Sequence, residues 1–161
     1  METSGLLCSE TKTFPCRLVI LGEGDEEQAL NKLAADLDIS NDVAFLGFQN
    51  NPFSFIAHSN IFALSSHWEG FGNVIIEAMA CSVPVISTNC PYGPNEIITD
   101  GVNGLLVPVG DTHAMAEAIA KLLKDEPLRE RLAEEGKKRA EDFKVEKMVA
   151  EYEKVFEDFS V

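Results

Sequence analysis

Residues 61–80 read IFALSSHWEGFGNVIIEAMA, and their pattern gives the clearest indication of the architecture. The apolar run at 61–64 predicts a short strand, and the small and glycine residues at 65–72 predict a loop. Apolar side chains at helical spacing follow over 73–80 and predict a helix. A strand, a loop and a helix in direct succession form the unit from which parallel sheets are built.

The same alternation extends on both sides of this stretch. Four more apolar runs predict strands, at residues 17–21, 43–46, 84–87 and 104–107. Helical patterns separate them, near residues 25–37, 52–58 and 94–98. We therefore predict an α/β fold with a Rossmann-like parallel sheet, helices on both of its faces and a helical tail.

The tail is wholly helical from residue 111 onward, with helices predicted to end at 124, 143 and 159. The last of them has a single apolar stripe, made of Val145, Met148, Val149, Tyr152, Val155, Phe156 and Phe159. We expect this stripe to pack on the chain's own sheet. The alternative is that it crosses to a second domain or subunit.

Charge and length exclude several classes of function. The chain has 161 residues and a formal net charge of −14, so it corresponds to about one domain and is a poor binder of nucleic acid or anionic lipid. No apolar run is long enough to span a membrane. Lysine and arginine are absent between Val43 and Pro108.

The cysteines indicate a reducing compartment. Cys8, Cys16, Cys81 and Cys90 lack the paired spacing and the companion histidines of a zinc site or a disulfide framework. We interpret them as free thiols, and residues 1–15 lack the features of a secretory signal. The sequence therefore predicts a cytoplasmic protein with no metal site.

The loop after the third strand is the candidate ligand site, because open parallel sheets bind ligands beyond the carboxyl ends of their strands. Glycines on both sides of Phe71 let the backbone approach a ligand closely. The helix that follows offers the unpaired N–H groups of Gly72, Asn73 and Val74 to an anion.

Two carboxylates flank this anion site. Because they would repel a phosphate, we expect them to bind a different part of the ligand. Carboxylates only accept hydrogen bonds, so Glu69 and Glu77 suit paired hydroxyls such as those of a ribose or a hexose. Helical side chains lean toward the helix N-terminus, so the side chain of Glu77 is expected to point back toward the anion site. A site in which backbone amides bind phosphate and carboxylates bind hydroxyls suits a nucleotide sugar.

Glu69 and Glu77 form an E-x7-E pattern within residues 69–81. This segment resembles the signature of retaining glycosyltransferase family four, in the C-terminal donor domain of its GT-B fold. Residues 90–97 are similar to members that build bacterial surface or lipid-linked glycans. Further matching stretches lie at residues 18–24, 43–48, 84–88 and 103–108.

The resemblance implies a role for each matching residue. Glu77 would hold the ribose hydroxyls, and Glu69 would contact the donor sugar near the reacting carbon as the catalytic residue. Gly47 and Phe48 would line the base pocket. Sugar and diphosphate would be held by the backbone amides of Gly70, Phe71, Gly72, Asn73 and Val74.

The activity implied is sugar transfer from a nucleotide sugar, a UDP-sugar in the expected case, to a glycan or lipid-linked acceptor with retained configuration. Neither a metal nor a cofactor is required. The family's acceptor site lies on an N-terminal domain, which a further domain or a partner chain would supply. We expect the chain alone to be inactive, and the full-length enzyme to be cytoplasmic or peripheral to a membrane.

Two departures from the family pattern matter. Ser82 occupies a position that is usually glycine. The family's first strand and helix, which carry an arginine and a lysine for the diphosphate, have no match here; residues 1–15 are a leader or a helix remnant, and 16–161 form a partial domain. Because the missing strand is central, the sheet must close differently, borrow a strand or remain incomplete.

Other interpretations stay open. The chain could be a non-catalytic nucleotide-sugar-binding module that pairs with a separate acceptor chain, a regulatory sensor, or an epimerase of similar fold. His67 is equally well structural or catalytic, and Trp68 either closes the site or fills the core of the loop. Glu96 is a helix cap or a second sugar contact, and Arg139 belongs to a solvated helix face.

Overall fold

The computed structural model describes residues 16–158. Its five short strands all pair in parallel, which confirms the predicted α/β class. Each predicted strand is present with its ends shifted by no more than about two residues, the usual uncertainty of such boundaries. The strands are β1 (Leu18–Ile20), β2 (Val43–Phe45), β3 (Phe62–Leu64), β4 (Val85–Thr88) and β5 (Leu105–Val107).

Helices connect the strands and form the tail. The side chains of Asp111 and Asp125 cap two of the tail helices, each accepting a backbone N–H at 2.9 Å. The predicted helix at 127–143 ends at Ala140 and continues as one 3-10 turn (Glu141–Phe143). The α-helices are α1 (Glu27–Asp36), α2 (Phe53–Ile56), α3 (Asn73–Ala80), α4 (Pro94–Ile97), α5 (Thr112–Lys124), α6 (Glu126–Ala140) and α7 (Val145–Asp158).

The strands form two sheets instead of one. β1 pairs with β2, while β3, β4 and β5 form a separate sheet in that order. Among residues 16–158, β1 and β3 each have a strand on one side only. Leu18 and Val19 of β1 are 48% and 46% exposed. Within residues 16–158, the sheet is therefore incomplete, which is one of the three outcomes expected for a missing central strand.

The core surrounds β4, whose four residues are all buried. Successive side chains of a strand point to opposite faces, and here Val85 packs with α3 and α4 while Ile86 packs with α5 and α6. Apolar clusters therefore cover both faces of the three-stranded sheet, as expected for parallel strands. Glycine at position 136 lets α6 approach α3, since a Cβ there would lie 3.2 Å from the Met79 Cγ.

The expectation that the last helix packs on the sheet is wrong. The stripe residues of α7 within the described chain are between 44% and 68% exposed. The chain is extended at Lys144, and α7 then contacts the 3-10 turn. Phe159, the seventh stripe residue, lies outside the described residues, as does the predicted leader at 1–15. Among residues 16–158, no helix combines the length and the apolar character that a membrane span requires.

Ser82 follows α3 with a φ of +59°, in the left-handed region. Its N–H donates to the Met79 carbonyl at 2.9 Å, and the next N–H donates to the Ala78 carbonyl at 3.1 Å. Glycine is preferred at this position after a helix because it has no Cβ. The backbone therefore explains why the family usually has glycine here, and serine is accommodated with some strain.

Candidate functional site

The candidate loop joins β3 to α3 and ends in a left-handed turn. Gly72 has φ and ψ of +87° and +45°, and α3 begins at the next residue, Asn73. Gly72 is buried, and a Cβ there would lie 3.2 Å from Ile75 Cδ1. A glycine in this conformation allows the chain to turn sharply from the loop into the helix.

This turn leaves a run of backbone donors unpaired. The N–H of Ile75 bonds the Gly72 carbonyl at 2.9 Å and begins the helical pattern. No acceptor among residues 16–158 pairs with the five N–H groups that precede it, those of Gly70, Phe71, Gly72, Asn73 and Val74. Four of these residues, Gly70, Phe71, Asn73 and Val74, are exposed. The loop therefore presents donors to solvent at the positive end of the α3 dipole.

The two predicted carboxylates flank these donors. Glu69 is half-buried, and the Ser66 hydroxyl donates to its Oε1 at 2.6 Å. Glu77 lies on α3, one turn beyond the first residue, and is also half-buried. The contact with Ser66 fixes one oxygen of Glu69 and leaves its other lone pairs available, and Glu77 has no side-chain hydrogen bond within the described residues.

A second loop, residues 89–93, is packed tightly against the first. A Cβ at Gly93 would lie only 2.1 Å from the Phe71 carbonyl oxygen, so no other residue fits without movement. At the strand ends, the Thr88 hydroxyl donates to the Ser66 carbonyl at 2.5 Å. The two loops are therefore joined at two points and hold each other in place.

Glu96 acts as a helix cap. Its Oε1 accepts the N–H of Gly93 at 3.1 Å, which forms a capping interaction at the start of α4. This bond fixes the loop at the residue that contacts Phe71. Of the two roles open for Glu96, helix cap and second sugar contact, the structure shows the helix cap.

The solvated role expected for Arg139 is wrong. Its guanidinium donates to the main-chain carbonyls of Glu96 at 2.7 Å and Ile97 at 3.2 Å. Its Cζ lies 4.7 Å from the centre of the Phe143 ring, which in turn meets Phe71 edge to face with the ring centres 5.8 Å apart. Arginine therefore braces both loops from behind, through α4 and through the Phe143 ring.

The carboxylate of Asp142 lies outside the two loops and has a pKa that its neighbours shift. Hydrogen bonds from Lys147 and Arg139 lower the pKa of Asp142 below its usual range. The ion pairs join the 3-10 turn to α6 and α7, with Lys147 Nζ 2.8 Å from Asp142 Oδ1. This exposed cluster orients the segment that carries Phe143.

Gly47 and Phe48 lie on the other sheet. They follow β2, where Gly47 has a φ of +62° and Phe48 is exposed. The backbone N–H of Phe48 donates to Glu23 Oε1 at 3.4 Å. An open cavity of about 440 Å³ lies beyond β1 and is lined by Gly24, Asp25, Glu27 and Gln28. The sequence predicted no ligand group there.

The two ring residues beside Glu69 face solvent. His67 is exposed, and Trp68 is 67% exposed, so the tryptophan does not fill the core of the loop. Among residues 16–158, no group of three or more histidine, cysteine, aspartate or glutamate side chains could hold a metal ion.

Comparison with known proteins identifies the family. The family model described as glycosyl transferases group 1 matches residues 7–139. The chain belongs to this family. A lipopolysaccharide core biosynthesis glycosyltransferase of Rhizobium meliloti is 44% identical over 74% of this chain and 35% of its own length.

Two further proteins extend the comparison. The N-acetylgalactosamine-N,N'-diacetylbacillosaminyl-diphospho-undecaprenol 4-alpha-N-acetylgalactosaminyltransferase of Campylobacter jejuni is 39% identical over 79% of this chain and 35% of its own length. The crystal structure of Anabaena HepE in complex with UDP superposes with a TM-score of 0.81 at 25% identity, covering 98% of this chain and 44% of that one. This group 1 chain therefore has the fold of a C-terminal domain of a GT-B glycosyltransferase and spans about a third of both curated relatives.

The sequence did not reveal the brace behind the group 1 signature loop. Arg139 is 43 residues from Glu96 along the chain, and no short motif links the two positions. Gly93 was part of a matching segment, but its packing against Phe71 depends on the relative position of two loops. Only a positive φ with a close backbone contact shows why glycine is needed there.

We predict that Gly93→Ala destabilises the protein more than Gly101→Ala does. Both glycines have positive φ, so both substitutions carry a strain of about 1–3 kcal/mol. A Cβ at Gly101 meets nothing within 4 Å, whereas at Gly93 it collides with the Phe71 backbone. Chemical denaturation measures the difference, and equal losses for both variants would contradict the close loop contact.

Proposed function

We propose that this chain is the donor-binding domain of a glycosyltransferase and that it holds a nucleotide sugar on the loop between β3 and α3. The observation that carries this proposal is the run of five backbone N–H groups at residues 70–74 that lack an acceptor within the described chain. The first N–H groups of a helix have no partner within the helix, and a ligand with several acceptor oxygens can pair with such a run of donors.

A pyrophosphate has that chemistry. Its oxygens accept hydrogen bonds from consecutive amides, and its charge is favoured at the N-terminus of α3. During transfer the negative charge on the departing diphosphate increases, and donors that are already in position stabilise it without reorganisation. The left-handed Gly72 is what places these donors on one turn of chain.

The carboxylates complete the site on either side of the phosphates. In this arrangement Glu77 accepts the ribose hydroxyls, and Glu69 accepts hydroxyls of the transferred sugar near the reacting carbon. Ser66 donates to one oxygen of Glu69 and so restricts the orientation of the carboxylate. Gly47 and Phe48 lie at the end of β2 and would contact the base.

The donor and the acceptor follow from the relatives. The Anabaena protein was crystallised with UDP, which supports a UDP-sugar as donor. The names of the Rhizobium and Campylobacter relatives support a glycan or a lipid-linked acceptor. We propose transfer with retained configuration in the cytoplasm, with the acceptor held by a further domain or partner chain, and no turnover by residues 1–161 alone.

We predict that UDP binds this chain with a dissociation constant weaker than about 100 μM. No lysine or arginine lies between residues 43 and 108, so the two phosphate charges are opposed mainly by the helix dipole, worth about 0.3–2 kcal/mol per charge. Isothermal titration calorimetry measures this constant. Low-micromolar binding would show that another part of the chain supplies cations to the phosphates.

We predict that Glu77→Gln removes most of the thermal protection that millimolar UDP gives the chain. At about 5 mM ligand, protection of about 1–2 kcal/mol is expected for a site of this affinity, which raises Tm by several degrees. Glu130→Gln on α6 is the matched control, because Glu130 is exposed and its loss changes the net charge equally. Equal protection of both variants would exclude Glu77 from the site.

A second candidate function is a nucleotide-sugar-binding module that works only when paired with a separate chain. The exposed stripe on α7 favours it, because a continuous apolar face with this exposure often marks an interaction surface. We predict concentration-dependent association in light scattering, above the mass of 17.6 kDa, which Tyr152→Lys abolishes. A monomer at all concentrations would remove pairing with a second copy through this stripe.

A further inference from the structure

Tyr92 has a backbone conformation that its side chain makes costly. Three residues other than glycine have positive φ within residues 16–158, namely Asp38, Ser82 and Tyr92. Aspartate and serine are small and can be accommodated there, and both follow helices. Tyrosine at a φ of +65° is the outlier, because bulky residues seldom occupy this region.

The Tyr92 side chain contributes little to the packing of the fold. It is 66% exposed, and its hydroxyl has no hydrogen-bond partner within the described residues. Its neighbours Cys90 and Gly93 are buried and anchor the loop, so Pro91 and Tyr92 project from it. Glycine would satisfy the backbone with less strain. A strained residue with no structural partner indicates a functional constraint.

The position of Tyr92 indicates what the constraint is. The next residue is Gly93, which packs on the Phe71 backbone, and the start of the same loop is joined to Ser66 by the Thr88 hydroxyl. Trp68 lies between these two points on the opposing loop and is 67% exposed. Two solvent-facing aromatic residues therefore stand on two joined loops, and one of them, Trp68, directly precedes Glu69 in the chain.

We propose that Tyr92 and Trp68 form an aromatic subsite that stacks on a neutral pyranose ring. The N-terminal amides of α3 are assigned to the phosphates, and residues 43–108 contain no lysine or arginine that could attract a second anion to the aromatic pair, so a neutral ligand is favoured there. A pyranose has an apolar C–H face for an aromatic ring and hydroxyls for a neighbouring carboxylate and phenol. This inference rests on the proposed function, because the pyranose ring would belong either to the donor sugar or to the acceptor.

The test compares three probes on the wild-type chain and its variants. UDP, UDP-N-acetylglucosamine and methyl α-glucopyranoside are titrated by saturation-transfer NMR, which detects millimolar binding. Trp68 is the single tryptophan, so its emission reports sugar contact independently. Ser82→Gly is the matched control, since it relieves a similar strain far from the aromatic pair, and Tyr92→Phe keeps the ring.

Tyr92→Gly should raise Tm by about 2–4 °C, as Ser82→Gly does, because it relieves the left-handed strain. It should also weaken sugar recognition by about threefold to tenfold and leave UDP binding unchanged. If Tyr92→Gly loses the extra affinity of UDP-N-acetylglucosamine over UDP, the bound pyranose is that of the donor. Loss of the methyl glucoside signal assigns it to the acceptor. Tyr92→Phe should retain both.

Unchanged binding of both sugars by Tyr92→Gly would overturn the subsite, as would a lower Tm, which would give the side chain a structural role. Absence of UDP binding to the wild-type chain would instead contradict the proposed nucleotide site. The methyl glucoside arm contains no nucleotide, so it tests the aromatic pair even in that case.

Discussion

Gly93 lies so close to the Phe71 backbone that this approach holds the loop between β3 and α3 in its conformation. It leaves no room for a side chain, so the loops after β3 and β4 are held at a separation of main chain against main chain. The donors of residues 70–74 keep their direction because the Phe71 peptide is held on one side by this glycine. On the other side, the Phe71 ring rests on Phe143. A site built from backbone amides needs this kind of support, since amides cannot adjust by changing rotamer.

The chemistry of the site follows from the absence of side-chain cations. Amides at a helix N-terminus carry partial charges, and a fixed group of them favours an anion without the flexibility of lysine or arginine. Carboxylates such as Glu69 and Glu77 can stand beside such an anion only if hydroxyls lie between them and the phosphates. The surplus of acidic residues is thus consistent with a ligand whose sugars separate its charge from the acids.

The sequence predicted the parts of the fold that depend on local pattern. Strands and helices followed from apolar periodicity, and α3 was placed at its observed residues because Gly72 and Ala80 bound a clear pattern. The carboxylates and amides followed from a motif within one βα unit. Arg139 and Phe143 were missed because they reach the site through contacts distant in the chain. The stripe on α7 was misplaced because periodicity reports an apolar face and not what covers it.

The division of the strands into two sheets has a consequence for how the molecule opens. The β3–β4–β5 sheet is covered on both faces by helices, so its amides become accessible to solvent exchange only when much of the core separates. The β1–β2 pair has partly exposed strands and no strand link to that core within the described residues. We therefore expect this pair to open as a unit of its own, at a smaller free energy than the three-stranded sheet. In the proposed site, the end of the ligand at Gly47 and Phe48 would accordingly be ordered last and released first.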